Sequence, residues 1–101
     1  MDAQTLLQKR DVKAKPHLEQ YAPMWIVDEK VIPEEDAVQF NAIFQHNRYG
    51  WVSRRYRYDG FNDVLYYKGQ TAASESILGD LNDVEPYIVA DVADIPNAYG
   101  G

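Results

Sequence analysis

Large apolar side chains are sparse along the first twenty residues, where Leu6, Leu7, Val12 and Leu18 stand in an otherwise polar run. Asp2 suits a helix N-cap and Pro16 a stop. The pattern predicts a marginal helix running toward Ala14, with a thin apolar face that needs a partner surface to hold it. Density rises at "MWIVDEKVI" (24–32), rich in β-formers, which predicts one strand or a short irregular strand pair. Pro33 then suits a first helical position, and Glu34, Glu35 and Asp36 suit the positive end of a helix dipole. Ala37, Phe40, Ile43 and Phe44 recur at helical spacing, His46 and Arg48 favour a negative end, and Asn47 and Gly50 mark an exit. These signals predict a helix over 33–46.

The period changes to two in "YGWVSRRYRY" and "DVLYYKG", two β-rich runs separated by Asp59-Gly60, a strong hairpin signal. Side chains alternate across a strand, so the hairpin divides into two faces if its loop has two or four residues. One face carries Val52, Arg54, Tyr56, Tyr58, Asp63, Leu65 and Tyr67. It has the more continuous apolar area and is expected to lie under the helix, with Asp63 or a strand edge satisfying Arg54. The other face carries Trp51, Ser53, Arg55, Arg57, Val64, Tyr66 and Lys68. Beyond it "TAASESIL" predicts a short helix ended by Gly79, with Ala73, Ile77 and Leu81 facing inward. "LNDVEP" reads as a loop, "YIVADV" as a short strand, and "ADIPNAYGG" as an irregular tail.

The sum is an α+β fold: a small antiparallel sheet centred on a β-hairpin (49–68), with one main helix packed against it. Residues 1–20 form a polar N-terminal segment, 21–95 a single domain, and 96–101 a flexible C-terminal tail. A length of 101 residues fits one domain, and 46% apolar residues suffice for one core. No apolar run approaches the roughly 20 residues that span a bilayer, so no membrane contact is expected. The N-terminus is too polar for a secretory signal, which makes the cytoplasm the expected compartment.

Charge sharpens the picture. The net charge is −6, yet four arginines and no acid fall between Arg48 and Arg57, and no basic residue follows Lys68. A net-acidic body repels phosphate, so nucleic acid is disfavoured as a general partner. Trp51, Arg55, Arg57, Tyr66 and Lys68 nevertheless combine the residue types that anchor protein interfaces, by burial and by cation–π contact. The same types serve single-stranded nucleic acid, which is the alternative reading. Tyr and Arg also simply cover small sheets, their stems shielding apolar surface. A second candidate surface is acidic: Asp80, Asp83, Glu85, Asp91 and Asp94, suited to a basic partner.

Catalytic chemistry finds little material. Without cysteine there is neither a disulfide nor a thiolate metal site. His17 and His46 lack ligand neighbours at helical spacing, and residues 80–85 lack the glycine and spacing of a calcium loop. Ser53, Ser74 and Ser76 stand in no nucleophile motif, and no glycine-rich phosphate loop occurs. No metal, no cofactor and no enzyme activity are expected. The chain ends in Gly100-Gly101, an unhindered carboxyl end like that of ubiquitin-like modifiers and sulfur carriers, which offers a minor alternative. Those folds begin with their hairpin, whereas some 48 residues precede it here. The expected function is a non-catalytic protein-binding module: a regulator, an inhibitor or an accessory subunit of a larger assembly.

Overall fold

A computed structural model describes residues 1–87. Helix α1 (Ala3–Leu18) is followed by a 3-10 turn (Glu19–Tyr21), strand β1 (Met24–Ile32) and a second 3-10 turn (Pro33–Glu35). Strands β2 (Ala37–His46), β3 (Gly50–Asp59) and β4 (Val64–Ala72) and the short helix α2 (Glu75–Asp80) follow; α2 is not ended by Gly79 but runs through it, because the Leu81 N–H closes the last turn on the Ile77 and Gly79 carbonyls. The four strands form one antiparallel sheet in the order β1-β2-β3-β4. One main helix packs against it, so the architecture is α+β.

That helix is α1, not 33–46. The stretch predicted as a helix is strand β2, in the middle of the sheet. Phe40 and Phe44 are four apart, a spacing common to one helical face and to alternate positions of a strand. Ala42 fills the intervening step and Val38 extends it by one, so Val38, Phe40, Ala42 and Phe44 form a buried row at period two. Pro33, Glu34 and Glu35 make only one 3-10 turn, which Asp36 ends in a left-handed conformation (φ 50°). His46 caps no helix; its Nδ1 accepts the backbone N–H groups of Arg48 (3.0 Å) and Tyr49 (3.2 Å) in the β2–β3 turn.

Helix α1 starts where its cap predicts, with Asp2 Oδ1 accepting the Thr5 N–H at 2.8 Å. Pro16 does not stop it. Proline costs a helix one N–H bond, but Leu18, wholly buried two residues on, ties the last turn to the core, and the Glu19 N–H still reaches the Lys15 carbonyl. The buried stripe is Leu6, Arg10, Ala14 and Leu18, four positions at strict i, i+4 spacing. The apolar face looked thin because one of its members is an arginine.

The hairpin has a four-residue loop, since Asp59 faces Val64. Asp59 Oδ1 accepts the N–H groups of Phe61 (2.9 Å) and Asn62 (3.2 Å), an Asx-type turn. The predicted division of faces therefore holds through Tyr67. Val52, Tyr56 and Tyr58 are buried beneath α1 and its following turn, Tyr56 stacking on Phe40 at 5.4 Å. A bulge then inserts Lys68, so that Arg55 faces Gly69 while Tyr56 faces Tyr67. Asp63 does not satisfy Arg54 as expected; it accepts the Tyr58 hydroxyl at 2.7 Å.

That hydroxyl, helped by Lys13, holds the Asp63 carboxyl below the usual carboxylate value. A depressed carboxyl stabilises the fold above its unfolded pKa and loses that contribution as pH falls through the folded value. Asp63→Asn, which tolerates the same left-handed backbone (φ 54°), should therefore flatten the fall in stability just below about pH 4. Urea titrations of both proteins across that range read the difference in slope.

Candidate functional site on the outer sheet face

The sheet face turned away from α1 is divided. At one end α2 and the segment after it cover the sheet. Ile43 is fully buried there, Trp25 and Trp51 lie 6.0 Å apart, and Leu78, Leu81 and Asn82 close a cavity of about 200 Å³ over them. Trp25 Nε1 donates to the Val84 carbonyl at 2.9 Å, fixing the cover in place. Ser74 caps α2 by accepting the Ile77 N–H at 3.1 Å, which starts the helix immediately after β4 and turns it back onto the sheet.

At the other end the sheet is open. Arg57 faces Tyr66 across the β3–β4 ladder, Arg55 faces Gly69, and the bulged Lys68 sits between these two pairs. Two adjoining grooves share Lys68. One, of about 490 Å³, runs past Glu35, Arg57, Phe61 and Tyr66; the other, of about 500 Å³, runs past Asn41, Ser53, Arg55 and Ser74. Arg57 is engaged by Glu35 (Nη2–Oε1 3.3 Å). Among the described residues Arg55 and Lys68 have no ion pair. Tyr66 is 45% exposed and Phe61, at the loop tip, 81%.

Of the five residues expected on this surface, the structure brings together Arg55, Arg57, Tyr66 and Lys68. It separates Trp51, whose ring belongs to the covered end. The sequence gives no sign of this, because the cover is supplied by residues 78–84, remote along the chain. Phe61 was not among the candidates, although an aromatic directly after a glycine in a turn has little core within reach. The acidic candidates Asp80, Asp83 and Glu85 are exposed on the end of α2 and the turn beyond it. Asp91 and Asp94 lie outside the described residues, as do the remainder of the predicted 87–92 strand beyond Tyr87, the tail and Gly100-Gly101.

Among the described residues no group of three or more His, Asp or Glu is placed to hold a metal ion. No described helix is long and apolar enough to cross a membrane. Fold and surface together define a small α+β domain, an antiparallel four-stranded sheet backed by one helix, with an aromatic and basic patch on the uncovered half of its outer face. Comparison with protein-family models, with curated proteins and with solved structures found no match to this chain.

Proposed function

We propose that this chain is a non-catalytic protein-binding module, a regulator, inhibitor or accessory subunit that acts through the open half of its outer sheet face. One observation carries the reading: Arg55 and Lys68 are exposed without ion pairs among the described residues, beside the exposed rings of Tyr66 and Phe61. An unpaired guanidinium loses little on desolvation if a partner carboxylate meets it, and the adjacent rings add apolar area that gains by leaving water. Trp51 contributes indirectly, by holding α2 as one wall of the groove.

Replacing Arg55 and Arg57 together by Ser tests the reading. The exposed Arg57–Glu35 pair is worth at most about 1 kcal/mol, so the double variant should fold as the parent does. Partner capture should fall at least about tenfold, the scale of one or two charge-assisted hydrogen bonds. Unchanged capture would overturn the reading and move attention to Asp80, Asp83 and Glu85. Saturable binding of a labelled single-stranded oligonucleotide by the parent, lost in the double variant, would replace it with the nucleic-acid alternative.

A further inference from the structure

Arg54 lies on the opposite face of the sheet from the patch above, beside the turn that follows α1, and nothing in the proposed function uses it. The 3-10 turn after α1 brings Tyr21 over this end of the core, where it stacks on Phe44 at 4.2 Å. The Arg54 guanidinium carbon sits 5.0 Å from the Tyr21 ring centre, 5.1 Å from Phe44 and 5.3 Å from Tyr67. Nε donates to Gln70 Oε1 at 2.7 Å, and Nη1 donates to the hydroxyls of Tyr21 and Tyr56, both at 3.2 Å. A guanidinium has five N–H groups, so the two on Nη2 are uncommitted among the described residues.

The electrostatics are unlike those of the other anchored arginines. Arg10 has two carboxylate partners and Arg57 one. Among the described residues Arg54 is held only by phenols, an amide and ring faces, and no carboxylate pairs with it. Those contacts fix its plane and leave its charge undischarged. Two of the residues that hold it, Tyr67 and Gln70, also line an open groove of about 470 Å³ with Tyr49, Val52, Thr71 and Ala72. Tyr49 and Tyr67 are each about three-fifths exposed along it.

The groove runs along the β4 edge of the sheet, with which no described strand pairs. Strand β4 is last in the strand order, whereas the β1 edge is met by Tyr87, whose N–H reaches the Met24 carbonyl at 2.7 Å. Alternate backbone groups of an edge strand point outward and can pair with another extended chain. The bulge at Lys68 and Gly69 interrupts this edge, so the usable run by the groove is Gln70–Ala72. Residues 64–74 contain no acid at all, in a chain whose net charge is −6.

We infer that this corner docks an extended acidic peptide segment of another protein. Its backbone adds to the β4 edge at Gln70–Ala72, and one of its carboxylates is taken by Nη2 of Arg54. Commitment to a peptide follows from the edge: a small carboxylate would use Arg54 alone and leave the backbone groups unpaired.

Titrating the isotopically labelled full chain with an acetylated, amidated peptide of alternating Glu and Val, followed by amide and arginine Nε NMR signals, tests the inference. Saturable shifts are expected at Gln70, Thr71, Ala72 and Arg54 Nε. The Gln-for-Glu peptide should give none, and acetate at equal carboxylate concentration should move only Arg54. Affinity should fall at least about tenfold in Arg54→Gln, and also in Tyr67→Ser, at an exposed position of the groove wall. Absence of saturable shifts in the parent overturns the inference, as does equal binding of the Gln peptide. Shifts confined to Arg55 and Lys68 would overturn it while supporting the outer-face reading, so the two proposals fail separately.

Discussion

Arg10→Ala will lower the unfolding free energy by about 3 kcal/mol, the scale on which removing one partner of a buried ion pair acts. Arg10 is only 3% exposed, beneath α1. Its Nη2 meets Glu29 at 2.6 Å and its Nε meets Asp11 at 2.8 Å, while the guanidinium lies 4.7 Å over the Phe40 ring. Burial works against the charge, but Asp11 and Glu29 outweigh it and hold the guanidinium's proton above its usual value. Alanine removes the bridge from α1 to β1 and leaves a cavity over Phe40. Arg10→Met should lie much closer to the parent, within about 1 kcal/mol. It refills the volume and removes Nη1, a buried donor without a partner among the described residues. Glu29, more than a third exposed, returns to water at little cost. Urea unfolding separates the two: for a chain of this size about 3 kcal/mol moves the midpoint by roughly 2 M. Equal losses in both variants would mean that the ion pair, not the packing, joins helix to sheet.

Gly60→Ala should cost about 2 kcal/mol, the overpacking penalty of a methyl group forced into a filled core. A Cβ at this position would lie 2.6 Å from Leu6 Cδ2 and 3.0 Å from the Asp36 carbonyl oxygen. Neither neighbour has anywhere to go. Leu6 is fully buried, and the Asp36 carbonyl accepts the Gly60 N–H at 2.7 Å. The control is Gly79→Ala, inside α2, where nothing lies within 4 Å of the added carbon and helix propensity favours alanine by up to about 1 kcal/mol. Thermal unfolding should therefore show Gly60→Ala melting roughly 10 °C below the parent and Gly79→Ala at or above it. Similar melting points for the two would show that the hairpin loop does not press on α1.

Both residues mark where reading the chain alone reaches its limit. Asp59-Gly60 signals a turn through glycine's conformational freedom, and a turn is there. The requirement for glycine, however, comes from Leu6 and Asp36, more than twenty residues away. Arg10 stands in a run that reads only as polar, with a thin apolar face. Its burial depends on Glu29 arriving from β1, which no local pattern encodes. The 33–46 error has the same root. Pro33 and three acids favour a helix start, and the i, i+4 pair Phe40 and Phe44 is compatible with either period. Pairing on both sides, with β1 and β3, decided for the strand, because a strand with two neighbours satisfies its whole backbone.

What the sequence determined by itself was local: the Asp2 cap, the β3–β4 hairpin with its two faces through Tyr67, the presence of a short helix after β4 though not its run through Gly79 to Asp80, and the α+β class with an antiparallel sheet. Each of these rests on dihedral preference, on capping within a few residues, or on alternation along one strand. The tertiary structure decided which helix covers the sheet, that α2 folds back over Trp25 and Trp51, and that Arg54 faces Tyr21 instead of Asp63. It thereby decided which half of the aromatic and basic face stays open. Those outcomes depend on surfaces brought together from distant parts of the chain, and burial there is a property of the pair, which neither partner's own sequence carries.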